Sequence, residues 1–333
     1  MKRRRGAVLV TGGAGYVGSF AVRALAARGE KVVVYDDLSR GHRDAVPKGV
    51  PFVEGRLQDA RRLGLALRAR RIDAILHFAA YAYVGESVRD PWKYWENNAA
   101  GTAALLAAAL RAKVPCFVLS STCAVYGEPR VERIPETAPR APVNPYGRSK
   151  AACEQMLEDL ASTGAMRSFR LRYFNAAGAA ADGSLGEHHD PETHLLPLAL
   201  RAAARGTALA VFGTDYPTPD GTCVRDYVHV EDLAEAHAEA VDRLRDGHEG
   251  AALNLGTGKG ASVLEVARAA EVVTGRKVRT EAAARRPGDP PFLVAAPGRA
   301  REVLGWTPAH RGVESIAATA WAWHRAHPRG FAR

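Results

Sequence analysis

A glycine-rich segment near the N-terminus constrains the fold more than any other feature of this chain of 333 residues. Residues 7–10 form a short apolar run that predicts a buried parallel strand, and Gly12, Gly15 and Gly18 follow it at the spacing G-x-x-G-x-x-G. Glycine lets the backbone turn tightly and approach a phosphate, while the N-terminus of the helix predicted next offers free N–H groups. The segment therefore predicts a pyrophosphate site. A glycine-rich turn without a ligand is the alternative.

An acidic residue ends the second apolar run. The run 31–36 predicts the second strand, and its last residue, Asp36, lies where a dinucleotide-binding fold places the acid that accepts hydrogen bonds from the adenosine ribose. A carboxylate repels a 2′-phosphate, so Asp36 favours NAD over NADP as the cofactor. Arg40 and Arg43 are the features that favour NADP, and we interpret them as solvated loop charges.

Strand and helix patterns alternate through the first half of the chain, which predicts a Rossmann-like, doubly wound parallel α/β sheet. We expect a dinucleotide-binding domain over residues 1–180 and a second, smaller α/β substrate domain over 181–333, with residues 226–245 packing back on the first. The predicted strands lie near 7–12, 31–36, 51–54, 73–78, 115–120 and 168–174, and the helices near 15–28, 59–71, 92–112 and 146–162.

Composition narrows the class of protein. The chain has no apolar run long enough for a transmembrane helix, and the basic tip 1–5 precedes too short an apolar stretch for a signal peptide. Cys116 and Cys153 fall in apolar patterns, which predicts buried free thiols in a reducing cytoplasm, and the four cysteines show no metal-like spacing. We predict no bound metal.

The formal net charge of +10 raises the question of nucleic-acid binding. The 46 basic residues are scattered among 36 acidic ones, and no basic stripe with interleaved aromatic residues is present in the sequence. We therefore predict no nucleic-acid partner and no membrane partner, and expect the positive charge to attract a small anionic substrate.

A tyrosine and a lysine four residues apart are candidates for catalysis. Tyr146 and Lys150 share one face of a predicted helix, and Thr122 ends a strand at the carboxyl edge of the predicted sheet. A free phenol has a pKa of about 10, and a nearby ammonium favours its ionised form. Tyr146 is then a general base, with Thr122 as a proton relay. The alternative is a surface tyrosine stacked on a lysine stem.

Eight segments together carry a family resemblance. The chain resembles the extended short-chain dehydrogenases/reductases and, within them, the UDP-glucose 4-epimerases. The segment 212–234 is the most discriminating, because other nucleotide-sugar enzymes share the glycine loop and the Tyr/Lys pair but not this stretch. The resemblance covers nearly the whole chain and rests on residues 11–19, 35–42, 77–88, 120–127, 144–150, 172–179, 212–234 and 285–289.

This resemblance implies NAD as the cofactor and assigns the residues around it. Tyr146 is then the base, Lys150 orients the cofactor ribose and charges Tyr146, and Thr122 bridges Tyr146 and the sugar hydroxyl. The implied cofactor contacts are Gly12, Gly15, Tyr16, Val17, Gly18, Asp36, Asp37, Leu57, Phe78, Ala79, Ala80, Asn97, Ser120, Tyr146, Lys150 and Tyr173.

The resemblance also implies a UDP-sugar substrate bound by the second domain. Arg225, Arg286 and Asp289 hold the pyrophosphate and the uridine ribose, since planar guanidinium groups match phosphate oxygens. Surface salt bridges are the alternative for both arginines. The remaining implied substrate contacts are Ser121, Thr122, Tyr146, Asn175, His194, Leu195, Ala210, Val211, Phe212 and Leu293.

The chain departs from the family pattern at several positions. Arg56 stands where relatives often have an acid near the adenine amine, so Asp59 or the backbone is expected to serve there. Ala82 replaces a lysine found in some relatives, and His194 replaces an asparagine of the uridine pocket. The resemblance implies that Leu293 lies beside the carbon 2 substituent of the sugar, and its intermediate size then predicts weak activity on N-acetylated UDP-sugars.

The residues after Thr122 limit the reaction. Dehydratases and decarboxylating relatives carry acidic groups there, whereas this chain has Cys123 and Ala124. The chemistry is therefore expected to stop at a 4-keto sugar, which predicts interconversion of UDP-glucose and UDP-galactose. A 4-epimerase of UDP-glucuronate or a UDP-pentose, and a non-catalytic NAD-binding sensor, are the alternatives. The family also implies a homodimer joined by the helices near 92–112 and 146–162.

Overall fold

The computed structural model describes residues 5–286 and 288–331. Most of the basic tip (residues 1–4) and Pro287 of the 285–289 segment lie outside the described residues. The chain divides into two compact units. The first unit comprises Met1–Gly127, Arg140–Arg172 and Ala234–Leu253, and the second comprises Glu128–Pro139, Tyr173–Leu233 and Asn254–Arg333. The units therefore interleave along the chain, and the division of NAD and UDP-sugar between two domains stays a prediction.

Seven of the strands form one parallel sheet in the order β10-β6-β5-β4-β1-β2-β3, with flanking helices. This order is that of a doubly wound sheet, so the predicted Rossmann-like α/β fold is confirmed. The strands are β1 (Ala7–Thr11), β2 (Val32–Asp36), β3 (Phe52–Glu54), β4 (Ile72–His77), β5 (Cys116–Thr122), β6 (Arg167–Tyr173), β7 (Asn175–Ala177), β8 (Ala208–Phe212), β9 (Val224–His229), β10 (Ala252–Leu255), β11 (Gly260–Ser262), β12 (Arg279–Ala283) and β13 (Phe292–Leu293).

Three of the four helices predicted for the first half, α1, α2 and α6, lie within two residues of the predicted bounds at each end, and α3 was not predicted. The α-helices of the described residues are α1 (Tyr16–Ala27), α2 (Ala60–Ala69), α3 (Val84–Arg89), α4 (Pro91–Tyr94), α5 (Gly101–Arg111), α6 (Pro145–Ser162), α7 (Leu195–Arg205), α8 (Val230–Arg245), α9 (Val263–Thr274), α10 (Gly298–Leu304) and α11 (Val313–Ala326).

The helix predicted over 92–112 is interrupted. Pro91 starts α4, and Asp90 caps it by accepting a hydrogen bond from the backbone N–H of Lys93 at 3.3 Å. A π-helical segment, Trp95–Ala100, then joins α4 to α5. Such wide turns occur frequently at functional sites. The apolar periodicity of 92–112 is that of one continuous α-helix, so the π-helical segment was not predicted.

The central strands form because both of their faces are covered. Every residue of β1 is buried, and Leu9 pairs with Val33 on one side and Ile75 on the other. The core on one side of this sheet also contains Leu105 and Leu157, which come from α5 and α6. Continuous apolar runs are typical of parallel strands buried on both faces.

The second unit is built around β9, which pairs with β7, β11 and β13, while β8 pairs with β12 in a separate two-stranded sheet. A core from α7, α9 and α11 includes Leu200, Val266 and Ile316. Within residues 5–286 and 288–331, none of the helices combines the length and apolar character needed to cross a bilayer. The four cysteines are free and buried, which confirms the prediction for Cys116 and Cys153.

Candidate functional site

The three loop glycines differ in how strongly the surrounding backbone excludes a side chain. Gly12 has φ +73°, and a side chain there would clash with the backbone of Ala79. A side chain on Gly18 would clash with the carbonyl oxygen of Gly12. These two glycines are therefore required by the fold itself. A Cβ on Gly15 would meet that same oxygen at 3.3 Å, a milder restriction, and Gly15 lines an open cleft.

This cleft in the first unit brings together many of the residues expected at the cofactor. It runs from the glycine loop at the start of α1 to the carboxylate at the end of β2, so it offers helix N–H groups for a pyrophosphate and an acceptor for a ribose. The donor set fits NAD. Of the expected residues, Gly12, Gly15, Asp36, Asp37, Leu57, Phe78, Ala79, Ala80 and Asn97 line it.

The cleft also contains residues that the sequence reasoning missed. They lie on or just after β2, β3 and β4, at the carboxyl edge of the sheet. The rule that ligands bind at this edge could have identified them. They are Tyr35, Ser39, Arg40, Gly41, Gly55 and Tyr81.

Asp36 is buried and already bonded to the loops around it. Its Oδ2 accepts from the N–H of Ala14 at 2.9 Å, and its Oδ1 accepts from that of Leu38 at 2.8 Å. Burial raises the pKa of Asp36, although these two N–H groups partly offset that effect. Each carboxylate oxygen has a second lone pair, so both can still accept from a ribose hydroxyl.

Arg40 differs from its sequence interpretation as a solvated loop charge. Its guanidinium donates to Oε1 of Glu86 at 3.1 Å and lies 5.2 Å from the centroid of the Tyr83 ring. The arginine therefore has partners within the fold. It is also a member of the cleft lining, beside Asp37.

A neighbouring cleft in the first unit contains the residues that raised doubt about adenine binding. Arg56 and Asp59 both line it. Asp59 caps α2 by accepting from the N–H of Arg62 at 2.9 Å, and the carbonyl of Arg56 accepts from the Tyr35 hydroxyl at 2.8 Å. Both groups are thus positioned by local bonds, and their predicted contact with the adenine amine stays a prediction.

The three catalytic candidates lie at the end of β5 and in the first two turns of α6. Asn144 caps α6 by accepting from the N–H of Gly147 at 2.9 Å. One turn after Tyr146, Lys150 is only 3% exposed, and its Nζ donates to the Ser120 carbonyl at 2.8 Å. Burial lowers the pKa of Lys150 to about 8, although Cys153 and Glu154 act in the opposite direction.

Thr122 follows Ser120 on the same strand and is also buried. Its hydroxyl oxygen accepts from the N–H of Ala124 at 3.1 Å, which caps the short 3₁₀ turn Cys123–Tyr126. The hydroxyl hydrogen of Thr122 is then available to donate. Thr122 and Lys150 are therefore both fixed at the carboxyl end of β5.

Asn98 ties the cofactor cleft to the catalytic helix. Its Oδ1 accepts from the N–H of Tyr81 at 2.9 Å, and its Nδ2 donates to the Tyr81 carbonyl at 3.0 Å and to the Ser149 hydroxyl at 3.1 Å. Asn97 donates to Asn98 Oδ1 at 3.1 Å. These bonds connect the loop after β4 to α6.

His77, which the sequence reasoning did not single out, lies buried next to this region. Thr102 donates its hydroxyl to the Asn98 carbonyl at 2.6 Å, so the His77 Nε2, 2.9 Å from that hydroxyl, must donate to it. Nδ1 then accepts from the Thr11 hydroxyl at 2.7 Å. Burial, together with the charge of Lys150, lowers the pKa of His77 to about 3. This neutral ring joins β1, β4 and α5.

Ser121 has a partner that the sequence did not suggest. Its hydroxyl donates to Glu154 at 2.5 Å, and that buried carboxylate also accepts from Arg172, whose Nε lies 2.9 Å away, and from Arg140 at 3.4 Å. The hydroxyl of Ser121 is thus engaged in an ion-pair network. The substrate contact predicted for it therefore has a competitor inside the fold.

In the second unit, three of the expected substrate residues lie together. Arg225 is 8% exposed, donates to the Val224 carbonyl at 2.7 Å and forms an ion pair with Asp289. Leu293 on β13 pairs in register with Arg225 on β9. Because Arg225 is buried, this pair is not the surface salt bridge that was the alternative interpretation.

The other expected substrate residues are distributed over the second unit. Arg286 is exposed, and its guanidinium lies 4.1 Å from the centroid of the Phe212 ring. On β8, Ala210 is exposed and Val211 is buried, and Leu195 packs against the cluster containing Val211. Asn175 pairs with Tyr227 between β7 and β9. Tyr173, which was expected at the cofactor, is partly exposed at the end of β6.

His194 is engaged differently from a uridine contact. Its Nδ1 lies 2.7 Å from Oε1 of Glu187 and 3.1 Å from Oε1 of Glu192. Burial would lower the pKa of His194, but the Glu187 and Glu192 carboxylates outweigh it and raise that pKa to about 10. The imidazole belongs to this acidic cluster, and its role at the uridine stays a prediction.

Comparison with known proteins identifies the family. Residues 8–256 match the NAD dependent epimerase/dehydratase family. The chain belongs to this family. Its match includes the glycine loop, Asp36, and the Thr122, Tyr146 and Lys150 set, and the family's dependence on NAD confirms the cofactor predicted from the sequence.

Within this NAD dependent epimerase/dehydratase family, the resemblance to UDP-glucose 4-epimerases is confirmed. The chain is 51% identical over 324 residues to the UDP-glucose 4-epimerase of Rhizobium meliloti (strain 1021), covering 97% of this chain and 98% of that relative. The UDP-glucose 4-epimerase of Brucella ovis in complex with NAD has a TM-score of 0.92 and 48% identity, covering 95% of this chain and 97% of that chain.

A second solved structure of the family contains both kinds of ligand. The UDP-glucose-4-epimerase from Stenotrophomonas maltophila, with bound NAD and formylated UDP-arabinopyranose, has a TM-score of 0.94 and 41% identity. It covers 98% of this chain and 99% of its own. These ligands are those of the relative, and they guide the substrates chosen for testing below.

Proposed function

We propose that this protein interconverts UDP-glucose and UDP-galactose by NAD-dependent oxidation and reduction at carbon 4 of the sugar. The observation that carries the proposal is the buried ammonium of Lys150, held at the carboxyl end of β5 beside Thr122 and one helical turn after Tyr146. This arrangement suits removal of a proton from an alcohol. The identity of 45–51% to UDP-glucose 4-epimerases over nearly the whole chain supports the choice of sugar.

The side chains of the first unit move the proton. Tyr146 accepts the proton of the carbon 4 hydroxyl, through Thr122 or directly, and returns it when the reaction reverses. The positive charge of Lys150 favours the phenolate of Tyr146, which makes it a general base near neutral pH. NAD, when bound, supplies the acceptor and then the donor of the hydride.

The proposed NAD site uses the cleft of the first unit. The N–H groups at the start of α1, with Tyr16 and Val17, hold the pyrophosphate, and Asp36 holds the adenosine ribose. Ser120 is assigned to the cofactor site because its carbonyl accepts from Lys150. Tyr173 is assigned to the nicotinamide from the family resemblance alone.

The proposed UDP-sugar site uses the second unit. Arg225, with Arg286, binds the diphosphate, and Asp289 binds the ribose while fixing Arg225. Ala210, Val211 and Phe212 of β8 hold the uracil, with Leu195 packed against them. Asn175 and Leu293 are assigned to the sugar end of the substrate.

The residues after Thr122 support epimerisation rather than elimination. Cys123 is buried, and Ala124 has no group that transfers protons. A dehydratase needs an acid and a base in addition to the relay. This segment supplies neither, so the keto sugar is returned to the alcohol.

The proposal is tested by incubating the purified protein with UDP-galactose, without added cofactor and then with catalytic NAD, and identifying the product sugar. We expect UDP-glucose to form until both sugars are at equilibrium. Tyr146→Phe, purified in the same way, controls for a contaminating epimerase. Stoichiometric accumulation of NADH, or a 4-keto-6-deoxy sugar, would replace the proposal with a dehydrogenase or a dehydratase.

A second candidate function is 4-epimerisation of another UDP-sugar, either UDP-glucuronate or a UDP-pentose. The pentose is favoured by the formylated UDP-arabinopyranose bound to the Stenotrophomonas maltophila relative. The same assay with UDP-xylose and UDP-glucuronate ranks the substrates by kcat/KM. A non-catalytic NAD-binding sensor would be inactive on all of them.

We further propose a homodimer joined by α6 and the helical segment 91–111. This segment and the preceding α3 carry exposed apolar side chains, of which Trp92 is 72% exposed and Val88 63% exposed. Large exposed apolar side chains in one region mark interaction surfaces. Trp92→Asp should shift the mass measured by light scattering from dimer to monomer.

The buried free thiols support a reducing, cytoplasmic location.

A further inference from the structure

Two histidines and two glutamates converge within one loop of the second unit. Glu187, His189, Glu192 and His194 lie between β7 and α7, and one ligand atom from each lies within 4.8 Å of all the others. Oε1 of Glu187 is 3.0 Å from Nδ1 of His189 and 2.7 Å from Nδ1 of His194. Both imidazoles therefore present the same ring nitrogen to the same carboxylates.

The loop is held in place independently of this cluster. Trp323 on α11 donates its indole N–H to the Glu187 carbonyl at 3.1 Å, and a side chain on Gly186 would clash with the same indole ring. The Glu187 and Glu192 side chains are 4% and 1% exposed. Buried carboxylates are found paired with cations or coordinating metals. The ligand atoms are thus fixed before any ion arrives.

We propose that these four side chains bind one structural Zn²⁺ ion. Zinc accepts imidazole nitrogen and carboxylate oxygen at bond lengths of about 2.0–2.2 Å, so the atoms of a tetrahedral site lie about 3.4 Å apart. The Nδ1 atoms of His189 and His194 lie 3.0 and 2.7 Å from Oε1 of Glu187. They lie 3.8 and 3.1 Å from the nearer carboxylate oxygens of Glu192, so the four separations fall on both sides of about 3.4 Å. Two carboxylates also neutralise one divalent cation.

Four protein ligands leave no open position, which is the mark of a structural rather than a catalytic zinc site. His194 immediately precedes α7, whose first residue, Leu195, packs against β8. The ion would therefore fix the start of this helix. The inference does not depend on the proposed reaction.

A second histidine cluster in the same unit supplies a contrast. His229, Glu231 and His310 also lie close together. However, Nδ1 of His229 accepts from the N–H of Glu231 at 3.1 Å, and its Nε2 lies 2.9 Å from the Thr319 hydroxyl. Both nitrogens of that ring are already bonded, so the cluster is a poor metal site and a suitable control.

The test is metal analysis of the full chain after chelator treatment, equilibration with Zn²⁺ and removal of free metal. We expect about one zinc per chain, a melting temperature several degrees above that of the stripped protein, and visible d–d absorption of four-coordinate Co²⁺ in its place. His189→Gln and His194→Gln should each lower the bound zinc by about tenfold or more. His310→Gln should retain it.

Several results would overturn the assignment. If the folded wild-type protein binds no zinc and shows no Co²⁺ spectrum, the proposed site does not exist. Full zinc binding by His189→Gln would also contradict the proposal. Loss of zinc in His310→Gln alone would move the site to the other cluster. If a variant does not fold by circular dichroism, the wild-type titration decides. Binding of Mn²⁺ but not Zn²⁺ would overturn the choice of metal.

Discussion

The two units place their expected ligand-binding residues in different surroundings. In the first unit, Lys150 and Thr122 are buried and bonded to the backbone of β5 and of the turn that follows it. In the second unit, Arg286 is exposed over an aromatic ring, and Leu293 lies on a strand of two residues. Only the Arg225–Asp289 pair is comparably fixed among these second-unit groups.

This difference suggests a division of labour between the units. Proton transfer needs groups held within a fraction of an ångström, which burial and backbone hydrogen bonds provide. Choice among related sugars requires only that pocket volume be changed, and an exposed or lightly packed side chain can be replaced with little cost to the fold. Substitutions in the first unit should then alter chemistry, and those in the second unit should alter substrate range.

The largest effect is expected on turnover, when the proposed catalytic base Tyr146 is replaced. Tyr146→Phe should lower kcat by roughly 10²- to 10⁴-fold, because a general base is removed, while KM for UDP-galactose stays within a few-fold. Steady-state kinetics measures both. Turnover within tenfold of the wild type would show that Tyr146 is not the base and that the first unit does not set the chemistry.

Tyr94 provides a matched control for that substitution. Its ring centroid lies 6.3 Å from that of Tyr146, but burial and its contact with Glu86 raise the pKa of its phenol. It therefore stays protonated at neutral pH. Tyr94→Phe should lower stability by breaking the bond to the Tyr83 carbonyl, and should keep kcat far closer to the wild-type value than Tyr146→Phe does.

The second effect, at Lys150, concerns the free energy of unfolding, and here a substitution should increase the measured quantity rather than lower it. Burial lowers the pKa of Lys150 from its usual 10.5 to about 8, a difference that corresponds to about 3 kcal/mol. Below pH 8 the charge is present in the folded and the unfolded protein, and its burial cost is complete. Between about 8 and 10.5 only the unfolded chain keeps the proton, so the free energy of unfolding rises with pH.

Lys150→Met removes that cost together with the catalytic charge. The variant should be more stable than the wild type at pH 7, by up to about 3 kcal/mol, with the difference shrinking towards pH 10. Urea unfolding at both pH values measures this, while activity falls. A variant that is less stable at pH 7 would show that the bond to Ser120 outweighs the burial of the charge.

The same contrast explains what the sequence could predict. The glycine loop, Asp36 and the Tyr146–Lys150 pair are local patterns, so the sequence placed them correctly at the junction of β1 and α1, on β2 and on α6. The bonds of Ser121 to Glu154, and of His77 to Thr11, join residues distant in the chain. No periodicity signals such bonds, because they depend on tertiary packing.

The loop before α7 shows a different limit. Cysteine spacing gives no signal for the Glu187–His194 cluster, because its side chains are carboxylates and imidazoles that converge only in the folded loop. The π-helical turn at Trp95–Ala100 was missed for a related reason, since its apolar pattern differs little from that of an α-helix.

A smaller effect is expected at the cofactor cleft. Asp36→Ala should weaken NAD binding by roughly 10- to 100-fold, as expected for loss of hydrogen bonds to a charged acceptor, and should relax discrimination against NADP. Asp37→Ala should act more weakly, because its carboxylate bonds the exposed Ser39. Fluorescence titration with both cofactors measures this. Unchanged binding of NAD and NADP in Asp36→Ala would show that the ribose lies elsewhere.

The smallest effect is expected at Leu293, where the second unit should set substrate range without touching the chemistry. Leu293 has no hydroxyl and is intermediate in volume between tyrosine and cysteine, so we expect weak but detectable epimerisation of UDP-N-acetylgalactosamine. A steric filter responds to volume: Leu293→Tyr should abolish that activity and spare UDP-galactose, and Leu293→Cys should raise it by a few-fold. Val272→Tyr, which adds the same ring on an exposed face of α9, should change neither activity. Relative kcat/KM for the two sugars is the measurement. Equal activity of the wild type and both Leu293 variants on the acetylated sugar would mean that this residue is not the gate.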